Sequence, residues 1–418
     1  MESVGVFTNT TPIDAYRGAG KPEANFIIER LIDTAALRCN FDPVELRLLN
    51  AIDEFPHETA FGMRIDTGAF KENILRAGEY IQRKSFVERK NVAQKEGLLR
   101  GLGIGCFLET ARGAPQEGVS LKFTKEGKVE IRVGTESNGQ GHETTFKQIA
   151  STRLGVPIEV LAYIQADTEQ VAIGFGHGGA RSMHMGAGTM ALAIDSVIEK
   201  ARQVAATLLQ TEVEELSFED GFFLTSKDER SVSIIEVASA ARNSDIMPGL
   251  GDTGIDTFYK REEAPFTFPN GCHAAEVEID PDTGSIKLVN YVMVDDYGTL
   301  VNPALTEGQL HGGVVQGIGQ ALEEFVAFDP ESGQLLSGSL MDYTAPRAAS
   351  FPFFKAHFQG VPTEANLLGV KGVGQAGCIA APQVITHAVL NALQGYNIDH
   401  IQMPITSQSL WRAIQAAS

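Results

Sequence analysis

Cysteine is scarce in this chain of 418 residues, which carries four, at Cys39, Cys106, Cys272 and Cys378. They lie far apart and form no CxxC pair. That excludes a disulfide framework and the usual zinc or iron–sulfur ligand spacings. No stretch approaches the ~20 uninterrupted apolar residues of a membrane-spanning helix, so no membrane role is expected. Met1-Glu2-Ser3-Val4-Gly5 lacks the basic-then-apolar order of a secretory signal, and reduced thiols in a cytoplasmic protein are the expectation. Positive charge is also in deficit: 34 Lys plus Arg stand against 53 Asp plus Glu, a formal net charge of −19. The basic stripe that nucleic-acid backbone binding needs is therefore not expected. A Walker loop, a clean GxGxxG after a strand, and HExxH or HxxxH pairs are all missing. These absences argue against nucleotide hydrolases, Rossmann dinucleotide binding and a metal held by protein side chains.

Glycine is what the chain has in excess: 43 residues, about a tenth, against a typical ~7%. The length is ample for a large core and suggests two or three domains. The glycines fall mostly in clusters, each read as leading into a helix. Tyr16 to Glu23 precedes an expected helix at Ala24 to Arg38, and a shorter helix is expected after Asp42-Pro43. A further helical stretch is expected from about Thr67 to Arg89, with Lys90 to Gly97 as a boundary. Leu99 to Glu109, Val119 to Phe123 and Val129 to Val133 read as strands. Gly134 to Glu143 then leads into an expected helix at Thr144 to Leu154. Gly174 to Ser182 precedes one from about Met185 to Leu209. A hairpin is expected across Ala274 to Ile279 and Ile286 to Val294, around Asp280-Pro281-Asp282-Thr283-Gly284. Gln309 to Gly319 is read as running into a helix at Gln320 to Phe325, and Gly369 to Gly377 precedes one at Ala381 to Leu393. The fold class expected is α+β, mixed sheets with helices and glycine-rich loops at helix N-termini.

Glycine lets backbone N–H groups approach a ligand and adopt positive φ, and a helix N-terminus adds unpaired donors and partial positive charge. Together they bind anions without Lys or Arg. Recurrence, with Gln, Ser and Asn interspersed, points to a large polyanionic cofactor; tight turns and close helix packing are the alternative for any one cluster. His142, His177, His184 and His311 lie in or near the clusters, and His142 and His311 read as hydrogen-bonding or packing residues. Asp295 and Asp296 are adjacent on a strand and face opposite sides, so a strand-end role is favoured over a paired acid–base site. Ser182 and Cys378 lack an evident activating base.

Taken in order, the clusters resemble the C-terminal molybdopterin-binding half of the large subunit in the xanthine dehydrogenase/aldehyde oxidase family, the molybdenum hydroxylases. The stretches that carry the resemblance are Asp14 to Ala24, Gly139 to Thr144, Gly179 to Ser182, Gln309 to Gly313 with Val315 to Leu322, and Gly369 to Gly377. The resemblance implies a molybdenum–pyranopterin cofactor, in the cytosine dinucleotide form of many bacterial members, with the metal held by the pterin. Carried over by position, Gly139, Gln140, Gly141, Ala180, Arg181, Ser182, Gln316, Gly372 and Gly374 would bind the cofactor, and Arg17 would sit near the substrate. It further implies hydroxylation of a small molecule, an aldehyde, purine or N-heterocycle, with water as oxygen source and a glutamate as general base. Iron–sulfur clusters and FAD would reside on partner subunits. Residues 1–95 would be the tail of the first cofactor-binding domain and 96–418 the second.

Two departures stand out. The resemblance places the glutamate base at Gln375, and a carboxamide cannot accept a proton near neutrality. It also implies an upstream catalytic half that precedes the Tyr16 stretch, expected as a partner beside the iron–sulfur and flavin subunits. Two readings stay open: a weak or inactive catalytic-subunit fragment, and a non-catalytic cofactor-binding or assembly subunit.

Overall fold

In the computed structural model, which describes residues 4–8, 10–228, 230–243 and 249–417, the first glycine cluster delivers the chain into α1 (Lys21–Cys39). Met1–Ser3, the start of the N-terminal stretch read for a signal, lie outside the described residues. Gly18, Ala19 and Gly20 take φ values of 101°, 45° and 89°, which favour glycine. Pro22 and Glu23 occupy the first turn. In α2 (Pro43–Asn50) the Asp42 carboxylate caps the N-terminus, accepting from the N–H groups of Val44 and Glu45. β1 (His57–Glu58) and β2 (Arg64–Ile65) form a small antiparallel pair. The stretch expected as one helix is two, α3 (Phe70–Tyr80) and α4 (Phe86–Lys95), broken where Gln82 takes φ 56°. Within the stretch Lys90 to Gly97, read as a boundary, α4 ends at Lys95 and the chain turns at Gly97, φ 78°.

β3 (Leu99–Leu108), β4 (Glu117–Phe123) and β5 (Val129–Val133) follow. The second cluster then links β5 to α5 (His142–Leu154), which crosses over to β6 (Leu161–Gln165), parallel to β5. The long helix α6 (Gly188–Leu209) starts later than expected, because a π-helical turn over Ser182–Ala187 precedes it. β7 (Leu216–Glu219), β8 (Phe222–Thr225) and β9 (Ser231–Ser233) make a small sheet ahead of α7 (Ile234–Ala240). β10 (Thr257–Arg261) joins a four-stranded sheet ordered β10-β4-β5-β6. The inward set Val119, Leu121, Val129 and Ile131 alternates along its strands and packs with Ile194, Val197 and Val204 of α6.

The expected hairpin is longer than read: β11 (Asn270–Asp280) and β12 (Ser285–Asp296). After it come α8 (Pro303–Leu322), β13 (Lys355–Phe358), α9 (Ala376–Ala392) and α10 (Ser407–Ala417). The second sheet is ordered β13-β12-β11-β3. Both of its faces are buried. Ile104, Cys272, Ala274, Val292 and Val294 meet Ile74 and Ala77 of α3 on one side. Ala275, Val277, Tyr291 and Met293 meet α8 and α9 on the other. The architecture is thus the expected α+β, two mixed sheets clad by helices.

Helix α9 is buried on almost every residue from Ala376 to Leu390, as an all-round apolar helix must be. It lies against β3 because every second residue there is glycine. A Cβ at Gly101 would stand 1.9 Å from the Ala388 carbonyl oxygen, and one at Gly103 2.1 Å from that of Val384. The reading of the fourth cluster as a loop before a helix is corrected. Its glycines lie inside α8, which starts at Pro303 behind the Asn302 cap. A Cβ at Gly313 would be 3.1 Å from Gly377 Cα, and one at Gly317 2.8 Å from Ala381 Cβ. These glycines serve close packing of α8 on α9, not ligand approach.

Gly103→Ala forces a methyl into the α9 backbone and is expected to destabilise the protein by about 3 kcal/mol. Gly78→Ala, in α3 with open space around it, is expected to be neutral or to stabilise by up to about 1 kcal/mol. Urea unfolding of the two variants checks both; equal effects would refute the packing account.

Candidate functional site

Five helix starts converge on one cavity of about 740 Å³. Its lining includes Ala19 just before α1, His142 opening α5, Ser182 opening the turn into α6, Asn302 capping α8 and Gln375 at the N-cap of α9. Of these N-termini only that of α8 has a side-chain cap, Asn302 Oδ1 accepting from Leu305 N–H at 3.0 Å. The other four have no side-chain hydrogen bond at the cap, which leaves backbone donors uncapped there, with Glu23 and Glu143 standing in the first turns of α1 and α5. In a chain with 53 acidic residues, no Asp or Glu is among the described residues lining it.

Of the residues expected here, Arg17, Gln140, Ala180, Ser182, Gly372, Gly374 and Gln375 line this cavity. Gly139 and Gly141 frame Gln140 with φ 107° and 79° but do not line it. A Cβ at Gly141 would meet Leu305 Cδ1 at 2.8 Å. Two placements are corrected. Arg181 turns away from the cavity, fully buried, donating to Glu117 Oε2 at 2.8 Å and to the Gly176 carbonyl at 2.9 Å. Its charge has to be neutralised internally, and burial lowers its pKa while raising that of Glu117. Gln316 sits on the α9-facing side of α8 and donates from Nε2 to Cys378 Sγ at 3.0 Å, away from the cavity lining. Ser182 Oγ meets Thr135 Oγ1 at 2.7 Å. Burial pushes the Cys378 thiol up to about 11, so neither residue is an activated nucleophile.

The walls are tied to each other by charged groups. Arg17 donates to the carbonyls of Gly374 at 2.5 Å and Gln309 at 2.9 Å, joining the first cluster to the fifth and to α8. Lys21 Nζ donates to Gln375 Oε1 at 2.8 Å and to Glu109 Oε1 at 3.2 Å. Burial raises the Glu109 carboxyl, opposed by Lys21. The adjacent carboxylates part to opposite faces as read. Asp296 holds Lys371 Nζ at 2.6 Å, while Asp295 takes the Tyr297 hydroxyl at 2.8 Å and His273 Nε2 at 3.1 Å. Lys21 and Lys371 lie within the first and fifth clusters but were assigned no role, and Glu109 lies outside every cluster. The one local signal for Glu109 is a carboxylate closing an apolar strand.

His184 is fully buried beneath the fifth cluster. Asn366 Oδ1 accepts from the N–H groups of Leu368 and Val370, which fixes its amide. Asn366 Nδ2 therefore donates to His184 Nδ1 at 3.0 Å, and His184 Nε2–H donates to the Pro265 carbonyl at 2.8 Å. Only the neutral imidazole satisfies both. Burial, against that carbonyl, lowers its pKa to about 4. His142 is lowered to about 4 by burial and by His177. The Nδ1 atoms of His142 and His177, both cavity residues, are buried without a hydrogen bond in the protein, and His177 Nδ1 stands 3.6 Å from Glu136 Oε1. Among the described residues no group of His, Cys, Asp and Glu side chains could hold a metal ion, and none of the helices is long and apolar enough to cross a membrane.

The domain family described as Molybdopterin cofactor-binding domain matches residues 74–352, and a second of the same description matches residues 1–51. The chain is 34% identical over 423 residues to the nicotine 6-hydroxylase large subunit of Paenarthrobacter nicotinovorans, covering 98% of this chain and 52% of that one. It is 31% identical over 431 residues to the carbon monoxide dehydrogenase large chain of Hydrogenophaga pseudoflava, covering 98% and 53%. The solved structure of quinoline 2-oxidoreductase from Pseudomonas putida 86 superposes with a TM-score of 0.91 at 31% identity, over 97% of this chain and 54% of that one. The chain spans about half the length of the curated relatives it matches.

Two outcomes are expected from these walls. Burial holds the folded His184 imidazole at about 4, below the ordinary histidine value of about 6.5, so the unfolded state binds the extra proton. Its contribution to stability is full above pH 6.5 and falls away as pH drops towards 4, by about 2 kcal/mol between pH 7 and 5. Urea unfolding at the two pH values should show His184→Gln losing about that much less than the wild type. Lys371→Met strands the Asp296 charge and is expected to cost about 3–5 kcal/mol. A loss below about 1 kcal/mol would show that the pair does not hold the wall.

Proposed function

This chain belongs to the molybdopterin cofactor-binding family of molybdenum hydroxylase large subunits, and we propose that it serves as the cofactor-binding half of an oxidoreductase whose chemical step is weak. The reaction class is hydroxylation of an aldehyde, purine or N-heterocycle with water as oxygen source. One observation carries the cofactor reading: four helix starts without a side-chain cap meet at a single cavity whose described lining holds no carboxylate.

The residues present fit such a group. A pyranopterin in its cytosine dinucleotide form is polar and polyanionic. The cavity offers glycine-rich backbone at Gly178, Gly179, Gly372 and Gly374, the carboxamide of Gln140, and two buried imidazole nitrogens that make no hydrogen bond in the protein. Gln140, Ala180, Ser182, Gly372 and Gly374 would bind it, while Gly139 and Gly141 shape the Gln140 loop and Arg181 and Gln316 support the walls from behind. The bound cofactor supplies the redox-active molybdenum that takes up the electrons of the oxidation. Arg17 orients ligand and loop, and position 375 stands where a base would take the proton. Gln375 cannot take it.

Partner chains remain part of the proposal: an upstream catalytic half, an iron–sulfur subunit and a flavin subunit carrying FAD, all in the cytoplasm. The exposed apolar side chains of α1, Ile27, Ile28 and Leu31, support a covering partner. The separate matches at 1–51 and 74–352 support a two-part division, and the boundary proposed at residues 95/96 falls inside the second of them. A second reading, a non-catalytic cofactor-binding or assembly subunit, is favoured by Gln375 itself, whose carbonyl is already engaged by Lys21.

Metal and pterin analysis of the complex, with dye reduction over aldehydes, purines and N-heterocycles, separates the two. Gln375→Glu is expected to raise turnover by about 10²-fold or more with pterin content unchanged. No gain would sink the weak-enzyme reading and leave the assembly reading.

A further inference from the structure

Gln375 is more than a missing base. Its Oε1 accepts from Lys21 Nζ at 2.8 Å, and the same ammonium is held at 3.2 Å by Glu109, which is fully buried. An ammonium has only hydrogens to offer, so the opposite amide orientation would set donor against donor. The orientation of this carboxamide is therefore decided by charge. Gln375 lines the cavity, and among the described residues its Nε2 has no acceptor in the protein. With the carbonyl committed, the N–H₂ group is what the side chain presents to a ligand. Arg17 points the same way: its Nε and Nη2 are committed to Gly374 and Gln309, and its Nη1 has no acceptor among the described residues. With no Asp or Glu among the lining residues, a ligand acceptor meets no competing carboxylate.

We propose that Lys21 and Glu109 lock Gln375 as a hydrogen-bond donor, so that this corner of the cavity selects ligands presenting an acceptor oxygen, a carboxylate or a ring carbonyl. Glu109 and Lys21 are positioning residues: Lys21 touches the carboxamide, Glu109 holds Lys21, and neither lines the cavity. The inference rests on the reading above for placing the substrate beside Gln375, and it narrows that substrate to an oxygen-bearing class. A carboxylate at position 375, the residue a proton-taking site wants, would repel such a ligand. Base strength and acceptor recognition are thus opposed at one position.

The test is ligand binding by the purified complex, measured by calorimetry with two probes of similar size. Benzoate carries acceptor oxygens; indole carries an N–H donor and no oxygen. The wild type is expected to bind benzoate at least about tenfold tighter than indole, and Gln375→Met to lose about tenfold in benzoate affinity with indole unchanged. Gln375→Glu should lose more. Lys21→Met frees the amide to turn and should weaken benzoate several-fold, while Lys21→Arg, which keeps a cation between Glu109 and Gln375, should restore it. A merely structural role for Lys21 would move both probes together. Benzoate binding no tighter than indole, or unaffected by Gln375→Met, overturns the proposal. Pterin content of the same samples is read separately, so absence of cofactor would count against the cofactor reading while the affinities still decide this one.

Discussion

The burial of α9 is the constraint on which the site depends. An apolar helix of 17 residues is covered by β3 and β11 on one side and by α8 and α1 on others. It can lie that close to β3 only because Gly101 and Gly103 leave no Cβ in its path, and α8 can approach only because Gly313 and Gly317 do the same. Once α9 is seated, its N-terminus has one position. Gln375 then meets Lys21 of α1, Gly374 meets Arg17, and the loop ahead of them becomes a cavity wall. Packing far from any ligand thereby sets the geometry of the ligand site.

An acidic protein can hold an anion when its charge is kept off the site. Here no carboxylate is among the described residues lining the cavity, and three behind its walls are paired, Glu117 with Arg181, Asp296 with Lys371 and Glu109 with Lys21. Such pairs are weak evidence of net stabilisation, since desolvation offsets their attraction. Their role here is to hold cluster to cluster in one register. The attraction for an anion is left to helix N-termini and glycine-rich backbone, whose partial charges are fixed by the fold.

Gln375, where the resemblance implies a glutamate, is consistent with this electrostatic frame. Lys21 would meet a glutamate at position 375 as an ion pair and meets the glutamine as a charge-assisted hydrogen bond. The carboxamide is thus firmly held, as part of the same chain of contacts that includes the wholly buried Glu109.

By itself the amino-acid sequence determined the α+β class, the order of the elements and the glycine clusters, because periodicity and turn chemistry are local. The motif order carried the family resemblance and pointed to the absence of a base at Gln375. It could not tell a glycine that clears space for a ligand from one that clears space for a helix, since both are simply a missing Cβ; Gly313 and Gly317 belong to the second kind. Nor could it foresee that Arg181 faces a buried carboxylate and Gln316 a thiol, or that Lys21 and Glu109 converge on Gln375. Those contacts join residues 64, 62, 354 and 88 positions apart. Such separations have no periodicity to read, and only the packing of α9 between its neighbours decides them.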